Sequence, residues 1–284
     1  MSRRARRVFI LALDALEYNV VSKLRLRSLI QEVYGYIDVS NFSIVLTPII
    51  WTSFITGKEP QEHNVHSWWR FSRYRWLDRL AHWIRYNVPI IKNIPSVKLK
   101  RMLRITGLRP RPPSREDLRV PTMFDIVKPS VALFVPGYSE EDWIRDFYSE
   151  AFERGVEEAE KAVWRIHWYR KRRLFEELER SSDWRLFMAW FDLADWIGHL
   201  YMGRSKLKIM KAYFELAKLA NKVRRMLPED TLYMIVSDHG MEPGGHHSPW
   251  AFYSFNIDPG WRPKKITDYF NFIVNMLNWS LQAP

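Results

Sequence analysis

The chain has 284 residues, of which 47% are hydrophobic and 27% charged, so the composition predicts a large packed core and excludes global disorder. It contains no cysteine, which excludes disulfides, thiolate metal ligands and a cysteine nucleophile. Any metal ion would therefore be held by His, Asp, Glu or hydroxyl groups. The absence of cysteine, together with a scarcity of glutamine, hints at a thermophilic source.

The formal net charge of +12 is concentrated in one stretch of the chain. Residues 66–119 carry 14 basic and three acidic side chains, a local net charge of +11, and they are rich in aromatic residues. We expect this stretch to be an insertion in the fold. Its arginines would either be solvated over inward-packed aromatics or contact nucleic acid or an anionic membrane.

The apolar and polar pattern predicts alternating strands and helices. The expected strands lie near residues 8–13, 33–38, 43–47, 131–135, 185–191 and 232–237. Helical patterns cover about residues 140–180, 204–226 and 266–279. This alternation predicts a single α/β domain over residues 1–284, with a mostly parallel central sheet and helices on both faces.

The N-terminal segment combines a basic start with an apolar run, as a signal peptide does. However, the run is short and ends at Asp14 without a small-residue cleavage site, so it favours a buried first strand. The longest apolar runs are about eight residues, well below the length of a membrane span. We therefore expect a cytoplasmic protein.

Functional side chains follow the predicted strands at their carboxyl ends, where ligands bind in open parallel sheets. Asp14 ends the first strand and Thr47 the third. The fifth strand runs into Asp192 and Asp195, and the sixth ends at Asp238 and His239. This edge of the sheet is the predicted site.

The spacing of these residues suggests metal ligands. Asp195 and His199 are four residues apart and would share one helix face, while His246 and His247 follow two glycines that allow close approach. Carboxylate and imidazole ligands without thiolates suit Zn²⁺, with Mn²⁺ or Fe²⁺ as alternatives. Two trios can be drawn, which predicts two divalent metal ions. His82 and His167 lie in aromatic helical surroundings and are expected to be packing or surface residues.

Five motifs carry a family resemblance, in this order along the chain: FILALD at residues 9–14, TPIIWTSFITG at 47–57 with Pro60 and His63 after it, DWIGH at 195–199, SDHG at 237–240 and GHH at 245–247. The sequence resembles the alkaline phosphatase superfamily, in particular its type I phosphodiesterase/nucleotide pyrophosphatase branch. The resemblance implies an alkaline phosphatase-like fold and a metal-dependent hydrolase of phosphate esters.

The resemblance also implies roles for individual residues. Thr47 would be the nucleophile that carries a covalent intermediate. One zinc would be held by Asp14, Thr47, Asp238 and His239, and the other by Asp195, His199 and either His246 or His247. His247 is preferred because a small residue follows it, Asp192 is the fallback for Asp195, and His63 is expected to be structural.

One departure from the family pattern leaves the substrate open. Nucleotide pyrophosphatases place a phosphate-binding asparagine shortly after the His63 position, where this chain has Trp68 and Trp69. Asn64 could substitute for it or could fill a turn. The expected substrate is a small anionic phosphate ester, nucleotides included. The alternatives are a phosphatase, phosphomutase or phosphonate hydrolase of the same superfamily, or a binding protein for nucleic acid, membrane or another anionic ligand with little turnover.

Overall fold

A computed structural model of the chain describes residues 5–68, 70 and 111–279. Its strands, in chain order, are β1 (Arg7–Leu13), β2 (Val33–Asp38), β3 (Ser130–Leu133), β4 (Leu186–Phe191), β5 (Thr231–Val236), β6 (Gly240–Glu242), β7 (His246–Ser248) and β8 (Trp250–Phe255). Its helices are α1 (Tyr18–Lys23), α2 (Thr47–Thr56), α3 (Pro60–His63), α4 (Met123–Ile126), α5 (Asp142–Glu153), α6 (Val156–Arg180), α7 (Leu193–Tyr201), α8 (Lys206–Met226) and α9 (Asp268–Trp279).

The central sheet has six strands in the order β2-β8-β5-β1-β4-β3. Strand β1 pairs in parallel with both β4 and β5, and β3 pairs in parallel with β4. Strand β8 is antiparallel to both of its neighbours, β2 and β5. The predicted mostly parallel α/β fold is confirmed.

The core forms two layers because β1 is buried on both of its faces. Phe9 and Leu11 belong to a cluster with residues of helices α5 to α8. Ile10 and Ala12 point the other way, into a cluster with residues of α2, α4 and α9. Helices therefore cover both faces of the sheet, as the sequence predicted.

Two predictions of secondary structure were wrong, and three strands were not predicted. Residues 43–47 do not form a strand: Thr47 begins α2, where Pro48 fits the first helical turn. The single helix expected over 140–180 is two helices, α5 and α6, separated at Gly155, which has φ +111°. Strands β6 to β8 were not foreseen.

The basic insertion predicted at residues 66–119 lies largely outside the described residues. Within this stretch Arg70 and Arg111 exchange backbone hydrogen bonds of 2.8 and 2.9 Å. Asp117 accepts from the Arg111 guanidinium at 2.7 Å, and its carboxylate lies 3.8 Å from Nε of Arg70. Within the described part of the chain, no helix is long and apolar enough to cross a membrane.

Candidate active site

The register of the sheet brings the predicted site residues to one edge. Leu13 of β1 is paired with Phe191 of β4, and Ala12 with Val236 of β5. The residues that follow these strands therefore meet beyond the same carboxyl ends.

The first group consists of Asp14, Asp238 and His239, and all three side chains are buried. Nε2 of His239 lies 3.3 Å from Oδ1 of Asp14 and 3.4 Å from Oδ2 of Asp238. Three potential ligand atoms thus surround one point, and we call this group the first trio.

The second trio consists of Asp195, His199 and His247. Asp195 and His199 are one turn apart on α7, and Oδ1 of Asp195 lies 3.3 Å from Nε2 of both histidines. The Nε2 atoms of His199 and His247 are 3.1 Å apart. The structure thus brings together the predicted residues and places His247, not the exposed His246, in the group.

Backbone contacts orient the three histidine rings in the same way. In each ring Nδ1 faces a backbone carbonyl oxygen. Nδ1 of His239 lies 3.0 Å from the carbonyl of Gly240, Nδ1 of His199 lies 2.8 Å from that of Gly245, and Nδ1 of His247 lies 3.3 Å from that of Val45. A carbonyl can only accept, so Nδ1 carries the proton and Nε2 is left with a lone pair. All three lone pairs face carboxylates of the trios, which is the arrangement of metal-binding histidines.

Positive charge in the site would stabilise its buried carboxylates. Burial and the neighbouring Asp238 raise the pKa of Asp14 well above its ordinary value. Burial also tends to raise the pKa of Asp195, but His199 and His247, when they are protonated, outweigh it and hold that pKa well below its usual range. Oδ1 of Asp195 and Oδ2 of Asp238 are buried and accept no hydrogen bond from the described residues. Cations at the two trios would satisfy both oxygens, so the residues present fit two divalent metal ions.

Thr47 stands beside the first trio, at the first residue of α2. Its side chain is fully buried, and Oγ1 lies 3.4 Å from Oδ1 of Asp14 and 3.5 Å from Nε2 of His239. The N-terminus of a helix carries partial positive charge, which favours an anion next to this hydroxyl. The position therefore combines a nucleophilic oxygen with stabilisation of negative charge.

The two trios are joined through their histidines. The rings of His239 and His247 stack with centroids 3.9 Å apart and an angle of 22° between their planes. The site is therefore one continuous cluster.

Asp192, the fallback ligand, lies in a different network. Its carboxylate forms an ion pair with the fully buried Arg170. It also accepts from the Tyr148 hydroxyl at 3.2 Å and from Nε1 of Trp196 at 3.1 Å. Its oxygens are thus engaged by donors, unlike those of Asp195.

The remaining predicted residues have local partners. His63 is buried, its Nδ1 accepts from the amide of Val65 at 3.1 Å, and its Nε2 lies 3.0 Å from Oγ of Ser53. Burial lowers its pKa to about 3, so it stays neutral. Asn64 ends α3 with φ +73° and fills a turn. His167 is buried on α6, with Nε2 3.3 Å from Oε1 of Glu215, whereas His82 lies outside the described residues.

Sequence reasoning overlooked Glu17, a buried carboxylate behind the site. It contacts the β6–β7 hairpin that carries His247. Its place three residues after Asp14, just beyond β1, signalled that it lies near the site but did not reveal its partners.

Comparisons with known proteins identify the family of the chain and its fold. A sequence model of the family described as type I phosphodiesterase / nucleotide pyrophosphatase matches residues 8–253. A search of curated protein sequences gives no match. Among solved structures, alkaline phosphatase from the Antarctic bacterium TAB5 is similar with a TM-score of 0.51 and 11% identity, over 97% of this chain and 98% of that one.

Two longer proteins are also similar. Murine ectonucleotide pyrophosphatase/phosphodiesterase 5 is 15% identical with a TM-score of 0.40, over 82% of this chain and 57% of that one. Phosphonoacetate hydrolase from Sinorhizobium meliloti 1021 is 12% identical with a TM-score of 0.43, over 84% and 57%. The chain thus spans little more than half the length of these two proteins. The fold is alkaline phosphatase-like, and because the family model covers most of its length, the chain belongs to the type I phosphodiesterase / nucleotide pyrophosphatase family.

Proposed function

We propose that this protein is a metal-dependent phosphoric ester hydrolase of the phosphodiesterase type, which acts through a covalent intermediate on Thr47. The observation that carries the proposal is the position of the Thr47 hydroxyl. It lies within 3.5 Å of Asp14 and His239, at a helix N-terminus, in a chain of the phosphodiesterase family. A serine or threonine hydroxyl is a weak nucleophile unless its surroundings activate it, and this site offers such surroundings.

Two divalent ions complete the proposed site. Asp14, Thr47, Asp238 and His239 would hold one, and Asp195, His199 and His247 the other. Nitrogen and oxygen ligands without thiolates suit Zn²⁺, with Mn²⁺ or Fe²⁺ as alternatives. When bound, a pair of such ions supplies Lewis-acid stabilisation of the attacking and leaving oxygens of an in-line displacement.

The chain's own residues define the course of the reaction. The Thr47 hydroxyl lies 3.4 Å from Oδ1 of Asp14 and 3.5 Å from Nε2 of His239, which orient it, and its proton passes to solvent as Oγ1 attacks. Oγ1 of Thr47 then forms a bond to phosphorus while the bond from phosphorus to the leaving alkoxide breaks, and the alkoxide takes up a proton from solvent. In the second step water attacks the phosphorus and loses a proton, the bond from phosphorus to Oγ1 breaks, and the Thr47 oxygen takes up a proton from solvent. The N-terminus of α2 stabilises negative charge in both steps.

The proposed substrate is a small anionic phosphate ester, nucleotides included. The family description supports a diester or pyrophosphate bond, while a monoester or phosphonate remains the alternative within the superfamily. Contact with nucleic acid or an anionic membrane through residues 66–119 stays a prediction from the sequence.

Hydrolysis of bis-p-nitrophenyl phosphate and p-nitrophenyl phosphate tests the proposal. Metal-stripped protein and protein loaded with Zn²⁺ or Mn²⁺ would be compared with Thr47→Ala. Thr56→Ala is the matched control, because Thr56 is buried on the same helix and its hydroxyl bonds only the backbone in the described contacts. We expect metal-dependent diester turnover that Thr47→Ala loses and Thr56→Ala retains. Preference for the monoester would favour a phosphatase, and no turnover of either ester would contradict the proposal.

A further inference from the structure

Glu17 connects elements that surround the site without contributing to either trio. Its Oε1 accepts from the backbone and side-chain nitrogens of Asn19, at 3.1 and 2.8 Å, at the start of α1. Its Oε2 accepts from the amide of Met241 at 3.0 Å and from Oγ of Ser248 at 3.2 Å. One buried carboxylate thus receives four hydrogen bonds from two separate parts of the chain.

The second pair of contacts lies at the base of the β6–β7 hairpin. In this hairpin Gly240 is paired with Ser248, and Met241 with His247. The carboxylate of Glu17 therefore contacts Met241 on β6, two residues after His239, and Ser248 on β7, which directly follows His247. Both histidines of the stacked pair lie within two residues of a Glu17 contact.

The space around this carboxylate is closely filled. A Cβ added at Gly240 would lie 2.3 Å from Oε2 of Glu17 and 2.4 Å from Oγ of Ser248, distances that no unstrained side chain permits. The amide of Glu17 donates to the hydroxyl of the buried Tyr213 at 2.9 Å, which anchors the main chain of Glu17 to α8. The carboxylate has little freedom to move relative to the hairpin.

We infer that Glu17 is a positioning residue, which fixes the base of the β6–β7 hairpin and thereby the placement of His247 against His239. Since His239 belongs to the first trio and His247 to the second, Glu17 sets the separation of the two metal ions. The inference rests on the proposed function, because it assumes that both trios bind metal. Partners that hydrogen-bond a metal ligand directly typically contribute about 10–100-fold to metal affinity, and Glu17, which acts through the hairpin, should contribute no more than that.

Metal binding by Glu17→Gln provides the test. The amide has the size of the carboxylate but only one accepting oxygen, so it cannot serve both Asn19 and the hairpin. Metal-free wild type and variant would be titrated with Zn²⁺ against a chromogenic chelator, and their Mn²⁺ forms compared by electron paramagnetic resonance. We expect Glu17→Gln to fold, to bind the more weakly held ion about 10–100-fold less tightly, and to lose the signal of a spin-coupled manganese pair.

Glu215→Gln is the matched control, since Glu215 is a largely buried carboxylate that bonds His167 and Lys171 between α6 and α8. It should bind both ions as the wild type does. If Glu17→Gln does not fold, Ser248→Ala removes one donor at the same hairpin base and should weaken the same ion by a smaller factor. If Glu17→Gln and Ser248→Ala both keep wild-type metal affinity and spin coupling, the positioning role is overturned while the proposed function stays intact. A wild-type protein that binds no metal would instead overturn the proposed function.

Discussion

Asp192 and Asp195 are three residues apart, both buried, and the structure predicts opposite consequences for replacing them with asparagine. Asp192 carries the charge that balances Arg170, whose guanidinium is fully buried and lies 4.5 Å from the Trp190 ring centroid. Asp195 instead faces two imidazole nitrogens. The first change should therefore affect folding, and the second metal binding.

The magnitude for Asp192→Asn follows from the contacts. The variant leaves Arg170 buried without its counter-charge, and breaking one partner of such a pair costs about 3–5 kcal/mol. The hydrogen bonds from Tyr148 and Trp196 also lose their charged acceptor. Because the buried ion pair with Arg170 accounts for most of the loss, we expect the free energy of unfolding of Asp192→Asn to fall by about 3–5 kcal/mol. The metal ligands should stay in place.

Urea unfolding of the metal-free proteins, followed by tryptophan fluorescence, measures the first effect, and a Zn²⁺ titration measures the second. Asp195→Asn should lose binding at the second trio, and Asp192→Asn should keep it. The reasoning would be refuted if Asp192→Asn lost metal as completely as Asp195→Asn with an unchanged free energy of unfolding, since Asp192 would then be the ligand.

Three further predictions concern the site itself. Thr47→Ala should lower the free energy of unfolding by less than about 1 kcal/mol, because the hydrogen bonds of Thr47 are long, at 3.4 and 3.5 Å. The same variant should reduce kcat by about 10³-fold or more. Urea denaturation measures the first effect and steady-state kinetics the second. His247→Ala should abolish binding of one ion, whereas His246→Ala should bind both, as equilibrium dialysis with metal analysis would show. Although burial opposes it, Asp195 raises the pKa values of His199 and His247, so protons compete with the metal below those values. Metal affinity should therefore rise with pH until both histidines are neutral, and a pH-independent affinity would contradict this assignment.

The sheet edge was predictable because its signals are local. The run of apolar residues before Asp14 can only be buried on both faces, and such strands belong to parallel sheets. The spacing of Asp195 and His199 fixes their common helix face without knowledge of the rest of the chain. These short-range rules were enough to gather the carboxylates and histidines at one edge.

The surroundings of the site were not predictable because they depend on distant residues. Residues 43–47 have a β-branched pattern, but the packing of α2 against the sheet and the proline after Thr47 begin a helix there. Strands β6 and β7 are three residues long, too short for a periodic signal. Glu17 meets Met241 and Ser248 across 224 and 231 residues, a contact that no local pattern encodes.

The central claim is the covalent intermediate on Thr47, and trapping it is the most direct measurement. Metal-loaded protein would be mixed with a diester substrate, quenched in acid within one turnover and digested for mass spectrometry. The account predicts a phosphoryl-type adduct on the peptide that contains Thr47, absent from metal-stripped protein and from Thr47→Ala. An adduct on another residue, or wild-type turnover by Thr47→Ala, would contradict it.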